Sequence, residues 1–153
     1  MLALARRIVH GATPVVVTLP AYGFPRLTIP TYANERPVFS RADVENLPLK
    51  NRTADLIFSV NIVDRLPHGP ERALREAYRV LRRGGTLVFT DPFNWTEEWL
   101  WRKYPDAASV LRLIERLGFV LETWFDELSY REILDARGST DEFRTLAVVA
   151  RKP

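Results

Sequence analysis

The segment 71–95, ERALREAYRVLRRGGTLVFTDPFNW, constrains the fold of this chain more than any other stretch. Its first half has the apolar spacing that marks one face of an amphipathic helix: Ala73, Leu74, Ala77, Tyr78 and Leu81. Pro70 is tolerated in a first helical turn, and the pair Gly84–Gly85 predicts a left-handed exit from the helix. Residues 86–90, TLVFT, predict a short buried strand, and Asp91 places a carboxylate at its carboxyl end. Open α/β sheets bind ligands at that edge, so the segment also predicts where a site would lie.

Helical and strand patterns continue along the rest of the chain. They predict four more strands, at Val38–Ala42, Asp55–Val60, Phe119–Phe125 and Phe143–Arg151, and two more helices, at Met1–His10 and Ala107–Leu117. Asp106 is placed to cap the second of these helices, and Gly118 is placed to end it. Residues 129–137 fit either a short helix or an added strand.

A proline-rich segment at about residues 12–36 interrupts this pattern. Five of the eleven prolines lie between Gly11 and Pro37, which rules out a long helix there. Val15–Leu19 and Leu27–Ile29 read as two short strands joined by a turn that contains Gly23. We therefore expect a β-hairpin inserted into a single domain that spans residues 1–153. A surface loop and a lid over a substrate site both fit this segment.

Composition narrows the class of protein. The chain has 153 residues, 46% of them hydrophobic, which is enough for one core, and it contains no apolar run long enough to span a membrane. The absence of cysteine excludes disulfides and thiolate metal sites and fits a cytoplasmic protein. The net charge of +3 comes from scattered arginines and not from a clustered basic stripe, so nucleic-acid binding is not indicated.

Two stretches together resemble a known family. ALREAYRVLRRGGTLVFTDP resembles the helix, double-glycine turn and fifth strand of class I S-adenosylmethionine-dependent methyltransferases, and RADVENLPLKNRTADLIFSVNIVDRL resembles the passage from their third to their fourth strand. The resemblance implies a Rossmann-like sheet of order 3-2-1-4-5-7-6, mostly parallel with an antiparallel last strand. It also implies a small-molecule methyl acceptor. The proline-rich insertion and the tryptophan-rich segment after the fifth strand are similar, more narrowly, to mercaptohistidine methyltransferase domains.

The resemblance also implies residues that hold the cofactor. Asp43 and Val44 match the positions that bind the adenine of S-adenosylmethionine. Asn61 follows the fourth strand, at a position where family members have residues that line the cofactor site. For Asp43 an alternative stays open, because aspartate commonly caps the turn that follows it.

The acceptor side is implied by residues that follow the fourth and fifth strands. Asp64, Asp91, Asn94 and Trp95 are the candidates for facing a methyl acceptor. Asp64 could instead pair with a neighbouring arginine, and the tryptophans at 95, 99 and 101 could pack a helix onto the sheet. We identify no catalytic base and no metal ligands, and methyl transfer needs mainly orientation in a dry site.

The chain departs from the family in one respect. The helix MLALAR resembles the family helix that follows the second strand, so the first two strands and the glycine-rich loop have no counterpart here, and none of the seven glycines forms a G-x-G. Without that loop the methionine end of the cofactor has no cradle. We therefore interpret the chain as an N-terminally truncated methyltransferase that is inactive alone. The alternative is a non-catalytic α/β interaction or dimerisation module that self-associates through open strand edges.

Overall fold

The computed structural model describes the backbone of residues 15–19, 24–29, 38 and 40–153, and the side chains of residues 38 and 40–153. The chain divides into two compact units. The first comprises Met1–Ala42 and Arg131–Asp141, and the second comprises Asp43–Tyr130 and Glu142–Pro153. The predicted helix at 1–10 and the predicted turn at Gly23 lie outside the described residues.

The first unit contains an antiparallel strand pair, β1 (Val15–Leu19) and β2 (Phe24–Ile29). Val15 pairs with Ile29 and Val17 with Leu27. The pairing predicted from the β-branched runs is confirmed. Its status as an insertion into a single domain stays a prediction.

The third strand predicted at Val38–Ala42 is wrong. Val38 and residues 40–42 are not in a strand, and Val38 is 91% exposed. A strand needs a neighbour for its backbone N–H and C=O groups. In the family order that the resemblance implies, the third and fourth strands are not neighbours, so the pattern at Val38–Ala42 has nothing to pair with in the described sheet.

The second unit is built on a mixed sheet. Its strands are β3 (Ala54–Val60), β4 (Leu81–Asp91), β5 (Val120–Ile133) and β6 (Thr140–Arg151), in the order β3-β4-β6-β5. β3 and β4 are parallel, whereas β6 is antiparallel to β4, as predicted for the last strand. This order reproduces positions 4-5-7-6 of the family sheet. β5 continues to Ile133, so the strand alternative holds for the first part of residues 129–137.

Three helices and one helical turn complete this unit. They are a 3-10 turn at Val63–Arg65, α1 (Pro70–Val80), α2 (Glu98–Lys103) and α3 (Ala107–Arg116). The predicted cap of α3 is confirmed, because the backbone N–H of Ser109 donates to Asp106 Oδ1 at 2.8 Å. Among the described residues, no helix is long and apolar enough to cross a membrane.

The predicted end of α1 at Gly84–Gly85 is wrong. The helix ends at Val80, and β4 begins at the next residue. Lys152 Nζ donates to the carbonyl oxygens of Tyr78 and Leu81 at 2.7 and 2.8 Å, which satisfies carbonyls at the end of the helix. Gly84, with φ of 76°, instead lies where the β3–β4 register shifts.

The core lies between the helices and one face of the sheet. Leu87 and Phe89 of β4 and Leu146 and Val148 of β6 belong to one buried cluster with residues of α1 and α3. On β3, Leu56, Phe58 and Val60 alternate with Ile57 and Ser59, the register partners of Leu87 and Phe89, so they lie on the other face. There Phe58 is 65% exposed. Within the described part of this unit, one sheet face is covered and the β3 edge is unpaired.

Candidate functional site

The carboxyl ends of β3 and β4 lie side by side, because the two strands are parallel neighbours. Asn61 leaves β3 with a left-handed φ of 51°. Its backbone N–H donates to the Thr90 carbonyl at 2.8 Å, and Thr90 Oγ1 donates to Asn61 Oδ1 at 3.0 Å. Asn61, which is half-buried, is therefore held against the end of β4.

Asp91 joins the segments that follow the two strands. Its Oδ2 accepts from the backbone N–H groups of Val63 and Asp64 at 3.1 and 3.2 Å, and its Oδ1 accepts from that of Phe93 at 2.9 Å. The side chain is completely buried. One carboxylate therefore fixes the turn after β3 and the turn after β4 at the same edge of the sheet.

Two buried carboxylates meet at this edge. Burial raises the pKa of Asp91 to about 7, and the nearby charge of Asp64 adds to the effect, against the opposing backbone hydrogen bonds. Burial also raises the pKa of Asp64, although Arg65 Nε lies 3.6 Å from its Oδ2 and opposes the shift. Asp64 Oδ1 has no hydrogen-bond partner among the described residues. The pair thus holds protons more tightly than exposed aspartates do.

The tryptophans after β4 mainly hold the post-strand segment together. Trp95 is buried, and its Nε1 donates to the Tyr104 carbonyl at 3.0 Å. Trp101 Nε1 donates in turn to the Trp95 carbonyl at 3.0 Å. Trp95 fits the alternative that these rings pack within the chain, whereas Trp101 is 49% exposed. Asn94, by contrast, is half-buried, and Trp99 is 43% exposed.

Asp43 and Val44 lie in a separate turn. Asp43 Oδ1 accepts from the backbone N–H of Glu45 at 2.9 Å, so the carboxylate caps the turn as the alternative proposed. The passage after this turn is tied to α1, because Glu76 Oε2 accepts from the backbone N–H of Leu47 at 3.0 Å and Arg79 Nη2 donates to the Leu47 carbonyl at 3.1 Å.

Glu76 and Arg79 were not identified from the sequence. Their i, i+3 spacing on α1 predicts an ion pair, which forms at 2.7 Å, but not the long-range bonds to the passage around Leu47. Overall, the structure brings Asn61, Asp64 and Asp91 together at the carboxyl edge. In the described part of the chain, no hydrogen bond links them to Asp43 or Val44.

The described glycines do not form a cradle for the methionine end of S-adenosylmethionine. A Cβ on Gly69 would overlap Leu100 Cδ2, and one on Gly118 would lie 2.9 Å from Tyr78 Oη, so both positions serve packing within the chain. Gly84 and Gly138 have open space around them but lie in the β4 bulge and in the turn before β6. The described residues therefore do not form the part of a binding site that would hold the methionine end of the cofactor. They also contain no group of three or more metal-ligating side chains.

Comparisons with known proteins agree with the resemblance seen in the sequence. Residues 26–89 match the family model for a methyltransferase domain. Over 63 residues the chain is 43% identical to a phthiotriol/phenolphthiotriol dimycocerosates methyltransferase of Mycobacterium leprae, covering 40% of this chain and 23% of that protein. Over 55 residues it is 47% identical to a sarcosine/dimethylglycine N-methyltransferase of Halorhodospira halochloris, covering 35% of this chain and 19% of that protein.

A solved structure shows the same fold. A SAM-dependent methyltransferase from Methanosarcina mazei superimposes with a TM-score of 0.55 at 13% identity, covering 81% of this chain and 71% of that one. At that identity the likeness concerns the fold alone. The matched part of this chain spans about a quarter or less of the length of the curated relatives. Over residues 26–89 this chain is therefore similar to part of a methyltransferase domain, and its fold resembles that of a solved SAM-dependent methyltransferase.

Proposed function

We propose that this chain forms the acceptor-facing part of an S-adenosylmethionine-dependent methyltransferase that acts on a small molecule. The observation that carries the proposal is the Asp91 carboxylate, which joins the segments after β3 and β4 at the sheet edge where α/β proteins bind ligands. The names of the matched relatives specify small-molecule acceptors, a dimycocerosate lipid in one case and sarcosine or dimethylglycine in another. These acceptors differ so widely that they support only the general class of small-molecule acceptors and not a particular compound.

The proposed roles follow the burial of each side chain. Asn94 is half-buried and keeps its polar group available at the edge, so it would contact the acceptor, whereas Asn61, also half-buried, would face the cofactor. Asp64, Asp91 and Trp95 are buried, so they would not touch the acceptor themselves. They would instead hold the segments after β3 and β4 in the conformation that presents the acceptor-binding groups. The cofactor of the family supplies the methyl group, and the part of this chain described here would orient the acceptor and exclude water.

We propose further that this chain alone does not bind S-adenosylmethionine productively. The support is the sequence, in which no two glycines form a G-x-G, together with the packing roles of Gly69 and Gly118. Calorimetry with S-adenosylhomocysteine tests this point. We expect no saturable heat at micromolar concentrations, and a micromolar dissociation constant for the isolated chain would overturn the proposal.

The adenine side can be tested separately. Asp43, Val44 and Asn61 are proposed to face the nucleoside, so millimolar adenosine should shift their backbone amide resonances in a two-dimensional NMR titration. Asp43→Ala should remove those shifts, whereas Asp141→Ala, at an exposed position of β6, should leave them unchanged. Shifts confined to other residues would contradict the assignment of the cofactor side.

We also propose that the chain associates with a second copy of itself through the unpaired edge of β3. An edge strand with free N–H and C=O groups and exposed apolar side chains is a template for further pairing. The comparisons do not favour the alternative of a purely non-catalytic module, so self-association is proposed as a property of a methyltransferase chain. A cytoplasmic location is proposed from the lack of cysteine.

A further inference from the structure

A cavity on the outer surface of α1 and α2 contains none of the residues assigned to the methyltransferase site. Its volume is about 380 Å³. It is lined by His68, Glu71, Arg72, Arg75, Trp99 and Lys103. This volume lies within the range of roughly 300–1,000 Å³ that is usual for small-molecule sites. We call this group of residues the α1–α2 cavity.

The charges around the α1–α2 cavity do not balance. Glu71 meets three cations: Arg75 Nη2 at 3.1 Å, Lys103 Nζ at 3.3 Å and Arg116 Nη2 at 3.8 Å. Glu45 lies 3.8 Å from Arg72 Nη1. Four permanently charged cations therefore face two carboxylates, which leaves two positive charges in excess.

Glu71 stays ionised and so does not add to this excess. Burial acts to raise its pKa, but hydrogen bonds and charges from Lys103, Arg75 and Arg116 outweigh it and hold the pKa below its usual range. The cations keep between about half and two-thirds of their side-chain surface exposed, so each can still contact a ligand.

The cations stand on helices that are fixed relative to each other. Arg72 and Arg75 are three residues apart on α1 and therefore point the same way. Leu100 of α2 is completely buried and packs against Gly69 at the start of α1. Lys103 of α2 thus faces α1, and its Nζ lies 5.7 Å from the centroid of the Trp99 ring.

Trp99 supplies an apolar wall beside these charges. It is 43% exposed, while Trp95 and Trp101 use their indole N–H groups to bond the chain. An ordinary solvated network of surface ion pairs would explain balanced charges. It explains neither the excess of cations around a concavity nor the exposed indole among them.

We propose that the α1–α2 cavity binds a small organic dianion. Arg72, Arg75 and Lys103 hold the charged group, and a planar or apolar part lies against the Trp99 ring. Guanidinium groups pair with both phosphate and carboxylate oxygens in a fork geometry, so aryl phosphate monoesters and aromatic dicarboxylates share this chemistry. Inorganic phosphate alone would occupy only part of the space.

The experiment is a set of calorimetric titrations of the full chain with four probes: phenyl phosphate, phthalate, inorganic phosphate and phenol. We expect at least one aromatic dianion to bind at least tenfold more tightly than either inorganic phosphate or phenol. Binding of phenyl phosphate alone identifies a phosphate ester site, and binding of phthalate alone identifies a dicarboxylate site. No saturable binding of either aromatic dianion at millimolar concentrations overturns the proposal.

Variants assign the binding to this cavity. Arg72→Gln should weaken the bound dianion at least fivefold, because this arginine is exposed and its only ion-pair contact in the described chain is the 3.8 Å approach to Glu45. Arg102→Gln is the matched control, since it removes the same charge from α2 at a position that does not line the cavity. Equal losses in both variants would show a general charge effect and contradict the site. Trp99→Leu should bring the affinity for the aromatic dianion toward that for inorganic phosphate. An unchanged affinity would show that Trp99 is not part of the binding site.

Discussion

At the residue scale, Gly69 shows how one backbone position holds two helices together. It precedes α1 with φ of 74° and ψ of −169°, a conformation that is essentially restricted to glycine. A Cβ at this position would overlap Cδ2 of Leu100, which is completely buried. Backbone strain and overpacking therefore both oppose a side chain at residue 69.

We expect Gly69→Ala to lower the free energy of unfolding by about 2–6 kcal/mol, from strain of roughly 1–3 kcal/mol and overpacking of similar size. Gly84→Ala is the matched control, since its φ of 76° is nearly the same while nothing lies within 4 Å of the added Cβ. Urea unfolding of both variants measures the difference. Equal losses would show that the contact with Leu100 contributes nothing.

At the element scale, the ends of β3 and β4 depend on the protonation of Asp91. Its pKa of about 7 in the folded chain exceeds the ordinary value of 3.8, because burial and the charge of Asp64 disfavour the carboxylate. The folded state therefore binds a proton that the unfolded state releases between about pH 4 and pH 7. The contribution of Asp91 to the free energy of unfolding falls as the pH rises through that window, and it is constant above it.

We expect Asp91→Asn to flatten this fall, because the amide does not ionise. Some slope remains, since the pKa of Asp64 is raised in the same direction. Denaturant unfolding of both proteins at several values between about pH 4 and pH 8 checks the prediction. The exposed Asp126→Asn variant serves as control and should keep the slope of the parent protein. An unchanged slope in Asp91→Asn would contradict the assigned role of its buried charge.

At the scale of the whole molecule, β3 lies at an edge of the second unit's sheet, and no other strand among the described residues pairs with that edge. Phe58 extends from this strand on the uncovered face. A lysine on an edge strand opposes pairing with another chain. We therefore expect the parent chain to show concentration-dependent association by sedimentation velocity and Phe58→Lys to shift it toward the monomer.

Because Phe58 is 65% exposed, Phe58→Lys should change the unfolding free energy little, by less than about 1 kcal/mol. Trp124→Lys, at a 49% exposed position on β5 at the other edge of the sheet, is the comparison variant. If Trp124→Lys dissociates the assembly while Phe58→Lys does not, association runs through β5, and the proposal for β3 is wrong.

Much of the fold could be predicted from the sequence, because its signals are local. Apolar spacing in residues 73–81, the β-rich run before Asp91 and the Asp106 cap each depend on residues within two or three turns of one another. The order and spacing of such segments also carried the resemblance to methyltransferases and predicted the antiparallel last strand. The strand expected at Val38–Ala42 failed because its pairing depends on neighbours that no local pattern describes.

The candidate site shows the same division. The sequence by itself determined that Asn61, Asp64, Asp91 and Trp95 follow the ends of two parallel strands. Only the tertiary structure decided that Asp64, Asp91 and Trp95 are buried and bonded within the chain, and that Glu71 meets Lys103, which lies 32 residues away. Burial and charge depend on which distant segments pack together, and packing is a property of the folded chain that residue spacing does not encode.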